Sequence, residues 1–301
     1  MTEGEFIEAL RRLPLHPGAC GLNDDAAWLD AHERLVLTKD LIVENVHFLA
    51  TDPPGDVAWK LVAVNLSDLA AKGAKPVGLM LGYPLGDDDW DRAFLAGLEA
   101  VMREYDVPLI GGDTVHAGKG ARTFSLTAIG SGDTARRRSA ARAGDALWVT
   151  GTIGDAGAGL AIARGAPGPD ALLARYRRPT PRLAEGAALA ALADAMMDLS
   201  DGLLIDASRM ATASGLHAEI DLGAVPLSDA LRGFAGEGRE ARMAAVTAGD
   251  DYELLAALPP NDTPPVPATR IGRLVPGSGL HLTHDGEAVA LPPRLGFEHG
   301  D

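Results

Sequence analysis

Cysteine is nearly missing from this chain: Cys20 stands alone among 301 residues, which excludes an internal disulfide and a thiolate metal cluster. Basic charge is also short. Twenty-seven Lys and Arg against 42 Asp and Glu leave a formal charge of −15, which opposes nonspecific attraction to nucleic acid or an anionic membrane. Long apolar runs are absent as well. No stretch approaches the roughly 18 consecutive apolar residues of a membrane span, and the opening MTEGEFIEALRRLPLHP has no signal-peptide core. The expected location is therefore cytoplasmic, with neither nucleic acid nor membrane as partner. Four Trp and four Tyr are too thinly scattered to build a stacking surface for bases. Two familiar phosphate devices are missing, the GxxxxGK[ST] cradle and the HRD/DFG pair of protein kinases. No Ser/His/Asp order supports a covalent serine.

What is present fits two domains of ordinary size. The pattern predicts a helix over Phe6–Leu13, a strand over Arg34–Asp40, and a helix from about Asp56 to Gly73 with Trp59, Val62, Ala63, Leu66 and Ala70 on its apolar side. A strand from Pro76, an amphipathic helix in DWDRAFLAGLEAVMREYDV, the short strand PLIGG ending before Asp113, and a strand over Arg122–Gly130 follow. The turn chemistry of RSAARAGDAL puts a domain junction near residue 140, dividing the chain into 1–140 and 141–301. Beyond it, ALWVTGTIGDAGAGLAIA reads as strand, glycine-rich loop and helix, and a further helix is expected near Ala184–Met197. Strands and helices alternate in both halves, the mark of α/β or α+β domains.

Acids gather at element ends: Asp24, Asp25, Asp40, Asp68, Asp113, Asp155, Asp201, Asp250 and Asp251. Each alone reads as a cap or turn residue. Several brought into one cleft would repel by roughly 4 kcal/mol per pair at an effective dielectric near 20, so they would have to bind cations or protonate. Magnesium suits such a set, because it takes oxygen ligands from carboxylates and substrate phosphates together. TGTIGDAGAG, Thr150–Gly159, serves either as a row of N–H donors for phosphate or as close helix packing. Lys39, Lys60 and Arg142 are candidate counter-charges, and His47 with Phe48 a candidate imidazole and aromatic contact for a ligand.

In order along residues 21–255, the segments GLNDDAA, LTKDLIVENVHF, KLVAVNLSDLAAKGAKP, IGGDT, VTGTIGDAGAGLA, RRPTPR, DLSDGLLID and GDDYELL resemble the thiamine-monophosphate kinase family. That family lies within the superfamily of ATP-using enzymes that includes aminoimidazole ribonucleotide synthetase. The resemblance implies an α+β fold of two domains, with mixed sheets and flanking helices. Residues 1–140 would bind metal and ATP and form a homodimer, and residues 141–301 would complete the nucleotide and substrate cleft. It implies direct transfer of the γ-phosphoryl group of ATP to thiamine monophosphate, assisted by several Mg2+ ions. By the same resemblance Asp24, Asp40, Asp68, Asp113 and Asp201 are the catalytic and metal-binding carboxylates, and Thr38 and Ser200 add oxygen contacts. Gly111 and Gly112 keep backbone close to the nucleotide, Arg142 and Ser200 contact it, and His47 and Phe48 belong to the substrate pocket.

The chain departs from the family pattern at several points. Asn23 replaces a glycine, Lys39 stands where a small hydroxyl residue is usual, the late glycine pair is reduced to Ala248-Gly249, and Gly300 follows His299 in place of an aromatic. These departures leave two other readings open: a related ATP-dependent enzyme with another small phosphorylated acceptor, or a nonenzymatic nucleotide- or metal-binding homologue.

Overall fold

The computed structural model describes residues 2–22, 29, 34–116, 118, 120–132 and 135–298. Contacts divide the chain into two compact units, Met1–Leu69 with Lys75–Asp133, and Ala70–Ala74 with Thr134–Asp301. Asp24 and Asp25, the paired acids of the first motif, lie outside the described residues, as do Asn23, His299 and Gly300. No helix among the described residues is long and apolar enough to cross a membrane.

In the first unit, strands β1 (Leu35–Val43), β2 (Lys75–Leu85), β3 (Leu109–His116) and β4 (Thr123–Ser131) form one sheet in the order β1-β4-β2-β3. β4 runs antiparallel to both neighbours, while β2 and β3 are parallel, which makes the sheet mixed. Helices α1 (Glu3–Leu10), α2 (Pro54–Ala70) and α3 (Asp88–Glu104) accompany it. The first helix starts earlier than its apolar pattern suggests, because Thr2 and Glu5 close a capping box around its first turn. Phe6 of α1 stacks on Tyr83 of β2 at 4.4 Å, and Phe94 of α3 lies 4.9 Å from Tyr83 and 5.0 Å from Phe124 of β4. An aromatic core thus joins both helices to one face of the sheet. α2 is buried nearly all round, not along one stripe: Ala58, Leu61, Val62, Leu66 and Leu69 have no exposure.

The second unit holds β5 (Ala146–Thr150), β6 (Ala195–Asp198), β7 (Leu216–Asp221), β8 (Leu254–Leu258), β9 (Ala268–Pro276), β10 (Gly279–His284) and β11 (Glu287–Val289), in the sheet order β11-β10-β7-β9-β5-β8-β6. All neighbours are antiparallel except β7 and β10. Helix α7 (Leu203–Ser214) sets Leu203, Leu204, Ala207, Met210 and Ala211 against Val149, Leu255 and Ile271. Helices α4 (Asp155–Ala163), α5 (Asp170–Arg177), α6 (Leu183–Leu189), α8 (Asp229–Ala235) and α9 (Arg239–Thr247) complete the unit. The helix expected over Ala184–Met197 is a correction. It stops at Leu189, and AMMD forms β6, paired with β8 and buried at all four positions. A short, wholly buried apolar run has no periodicity that separates strand from helix.

Candidate active site

In the first unit the site grows from the alternation of β1. Thr38 and Asp40 point to the face that α2 covers: Thr38 Oγ1 donates to the Asp68 carboxylate, and the Asp40 N–H donates to Asn65 Oδ1 at 3.2 Å. Asn65 and Asp68 share one face of α2 by their three-residue spacing, and Asn65, completely buried, also donates to the Leu61 carbonyl at 2.9 Å. This brings together two carboxylates 28 positions apart in sequence. Burial, reinforced by the neighbouring Asp68 charge, pushes the Asp40 carboxyl up to about 6.

Lys39 takes the opposite side. Its Nζ donates to Ser125 Oγ at 2.5 Å on the sheet face that carries Leu37 and Leu41, so alternation turns it away from Asp40. Lys60 is likewise no free counter-charge: buried in α2, it donates to the His47 carbonyl at 2.9 Å. His47 sits in the turn after β1, and its Nδ1 accepts from the Val43 N–H at 3.1 Å. That bond leaves the proton of the neutral ring on Nε2. Phe48 is buried against Phe124 at a centroid distance of 6.0 Å. Its ring is part of the core of the first unit, at 3% exposure.

Asp113 is not brought to the acidic pair. β3 continues through the glycines to His116, so Asp113 lies inside a strand, exposed and in register with Gly82, and its carboxylate accepts from the Thr114 N–H at 3.0 Å. Gly112 has a packing reason of its own, since a Cβ there would stand 1.9 Å from the Leu81 carbonyl oxygen. Gly111 has open space where a side chain would be.

The second unit holds the remaining predicted residues. Asp201 Oδ2 accepts from Arg209 Nη1 at 2.5 Å, and the Asp201 N–H donates to Asp206 at 3.1 Å. The carbonyl of Ser200 accepts from the Asp250 N–H at 2.8 Å. Arg142 lies 3.6 Å from the Asp194 carboxylate, and its own N–H is capped by Asp145 at 2.7 Å. The glycine-rich passage proves to be packing. Gly154 adopts φ +91° and a Cβ there would strike Ala245, while one at Gly159 would meet the Leu172 carbonyl. The Gly154 N–H at the start of α4 is taken by Asp251 at 2.9 Å, a buried carboxyl that desolvation holds well above its ordinary range. Asp155 is committed too, accepting from Thr152 at 2.7 Å and Ser228 at 2.6 Å.

The sequence reading missed Glu253. It is fully buried and accepts from Arg175 at 2.6 Å, from Arg182 at 2.6 and 2.7 Å, and from Thr150 Oγ1 at 2.7 Å. A single acid inside the apolar run YELLAALP, with RYRRPTPR elsewhere in the chain, is the signal that pointed to such a pairing. Among the described residues, no three His, Cys, Asp or Glu side chains gather closely enough to hold a metal ion.

Two family models cover most of the chain: AIR synthase related protein, N-terminal domain, over residues 23–131, and AIR synthase related protein, C-terminal domain, over residues 142–285. A thiamine-monophosphate kinase of Caulobacter vibrioides is 40% identical, covering 99% of this chain and 91% of its own length. The crystal structure of thiamine-monophosphate kinase from Stenotrophomonas maltophilia K279a superposes with a TM-score of 0.81 at 38% identity, covering 95% and 96% of the two chains. AaThiL complexed with AMPPCP and TMP superposes with a TM-score of 0.80 at 32% identity, covering 91% and 90%.

Proposed function

Because this chain belongs to the thiamine-monophosphate kinase family, we propose that it transfers the γ-phosphoryl group of ATP to the phosphate of thiamine monophosphate, giving thiamine diphosphate and ADP. The observation that carries the reading is the Asp40–Asp68 pair beside Thr38, in a chain with no Walker cradle. Both reactants are anions, so the barrier includes bringing them together. An acceptor phosphate is already ionised at neutral pH and needs no strong base, which explains a site of carboxylates in place of a catalytic histidine.

Magnesium belongs to the same proposal, and the residues fit it. Asp40, Asp68 and Thr38 supply only hard oxygen donors, and an Asp40 carboxyl pushed up to about 6 marks a position where negative charge lacks a counter-ion. The bound ions would neutralise the approaching phosphates. Asp24, Asp113 and Asp201 remain the further proposed metal carboxylates, with Ser200 beside Asp201; Asp113 stands apart from the Asp40–Asp68 pair and would hold an ion of its own, while Gly111, Gly112 and Arg142 remain assigned to the nucleotide. His47 and Phe48 are assigned to the substrate pocket. A cytoplasmic location goes with the use of ATP.

The homodimer is proposed from the uncovered face of the first unit's sheet. Leu37, Leu41, Met80 and Val115 are 63, 50, 40 and 54% exposed, and strand pairing puts Met80 in register with Thr127, the partner of Lys39. An apolar group of this kind marks an association surface. Leu41→Asp is expected to shift the protein from dimer to monomer in sedimentation analysis; an unchanged dimer rules this face out.

The activity test incubates purified protein with ATP and thiamine monophosphate, with and without Mg2+, and separates thiamine diphosphate directly. Magnesium-dependent diphosphate formation is the expected result. ATP binding without product would overturn the assignment in favour of another acceptor or a noncatalytic homologue.

A further inference from the structure

Arg209 lies nearly two turns into α7 and reaches back across the start of the helix. One nitrogen, Nη1, donates to Asp201 Oδ2 at 2.5 Å and to Asp206 Oδ1 at 2.8 Å. The two acids are held differently. Asp206 has no exposure, and its other oxygen accepts the Asp201 N–H at 3.1 Å. Asp201 and Arg209 remain partly open, at 24 and 38% side-chain exposure. Asp206 is therefore a fixed anchor for the backbone of Asp201 and for the guanidinium together, while the bond from Arg209 to Asp201 is the exchangeable one.

We propose that Arg209 is a placeholder cation: it neutralises Asp201 while no divalent ion is bound, and yields that carboxylate to the incoming ion while keeping its bond to Asp206. The inference rests on the reading of Asp201 as a metal carboxylate. A guanidinium and a divalent ion on the same carboxylate repel each other strongly at contact distance, so the ion must displace Arg209 before it gains the full charge of Asp201. The exposed side of the arginine lets it turn away from Asp201 without stranding a buried charge, because its bond to Asp206 stays in place and Asp206 keeps the Asp201 N–H. This makes Arg209 a positioning residue. Its presence keeps the carboxylate aimed and compensated between ligands, and weakens binding of the free cation.

The test uses Mn2+ as the probe, with binding to the full chain read by electron paramagnetic resonance in the absence of nucleotide. The variants are Arg209→Gln, Asp201→Asn, and the double variant Asp206→Asn/Arg209→Gln, which retains an acceptor for the Asp201 N–H and leaves no unpaired buried charge. Thermal melts establish that each is folded. Arg209→Gln and the double variant are expected to bind Mn2+ about fivefold more tightly, as removal of a competing partly exposed ion pair predicts. Arg273→Gln, which removes the same charge from an exposed position on β9 where it pairs with Glu219, should change affinity less than about twofold. If Asp201→Asn loses a Mn2+ site while Arg209→Gln gains nothing, the placeholder is overturned and Asp201 keeps its metal role. Binding unchanged in Asp201→Asn overturns the metal role itself, and the placeholder with it.

Discussion

Asp40→Asn is expected to stabilise the cation-free protein at neutral pH by about 2 kcal/mol while lowering turnover on the order of a thousandfold, the scale for removing a group that stabilises charge in the transition state. The two effects have one cause. Asp40 is held against Asp68 and partly removed from water, and its carboxyl is pushed up to about 6 from an ordinary 3.8. Between those values the folded chain retains a proton that the unfolded chain has released. Its stability therefore falls as pH rises from about 4 to about 6, and the loss is complete above that window. For a sealed group the shift would be worth about 3 kcal/mol, and partial exposure of Asp40 reduces this to about 2. Asparagine removes the charge and with it the loss, so the variant should match the parent near pH 4 and exceed it from pH 6 upward. Urea unfolding in a chelating buffer across pH 4–8 checks this. Only the difference between parent and variant isolates Asp40, because Asp145, Asp206 and Asp251 are also raised by burial. A variant less stable than the parent at pH 7 would show that the carboxylate is stabilised where it stands. Its repulsion by Asp68 would then not be the feature that calls for a cation.

Local pattern disclosed most of the elements of the first unit and few of its meetings. The apolar period of α3 and the buried run of β2 were legible because each is long enough for its repeat to dominate. β6 was not, since four buried residues satisfy helix and strand equally. Asp40 and Asp68 were singled out as acids, but only the return of α2 onto β1 shows that they meet, and that Asn65 fixes the backbone between them. The period of two in β1 decides the Lys39 question: Thr38 and Asp40 face α2, and Lys39 faces Ser125. Asp113 shows the opposite failure. PLIGG reads as a strand ending at the glycines, but parallel pairing with β2 carries the strand on to His116, so the acid expected at its exit is a strand residue. Glycines in TGTIGDAGAG left phosphate contact and close helix packing both open. The structure fills the space beside them with Glu253, Ala245, Ala248 and Leu172, neighbours that no local pattern names.

Replacing both Arg175 and Arg182 by Met is expected to destabilise the second unit by about 4 kcal/mol, and replacing Glu253 by Met should cost clearly less. The asymmetry follows from where the charges lie. Glu253 is fully buried, whereas both arginines keep 22% of their side chains exposed and can turn toward water when the carboxylate is gone. Without them, the carboxylate keeps, among the described residues, only the Thr150 hydroxyl at 2.7 Å, and an ionised group left uncompensated in the interior is the most unfavourable of these states. The bond from Glu253 also raises the Arg182 guanidinium above its ordinary value, so the arginine stays charged at any working pH. Removing all three charges together, as Arg175→Met/Arg182→Met/Glu253→Met, should recover much of the lost stability, because the desolvation of the ions disappears along with their attraction. The effect also reaches the loop after β5. Thr150 is tied to Glu253, and the Gly151 turn lies directly on its carboxylate, where a Cβ would meet Oε1 at 2.2 Å. Urea unfolding followed through Trp148, which packs in this unit, gives the order of the three variants. A Glu253 variant less stable than the double arginine variant would place the dominant penalty on the arginines, and would show that the carboxylate is there to satisfy them.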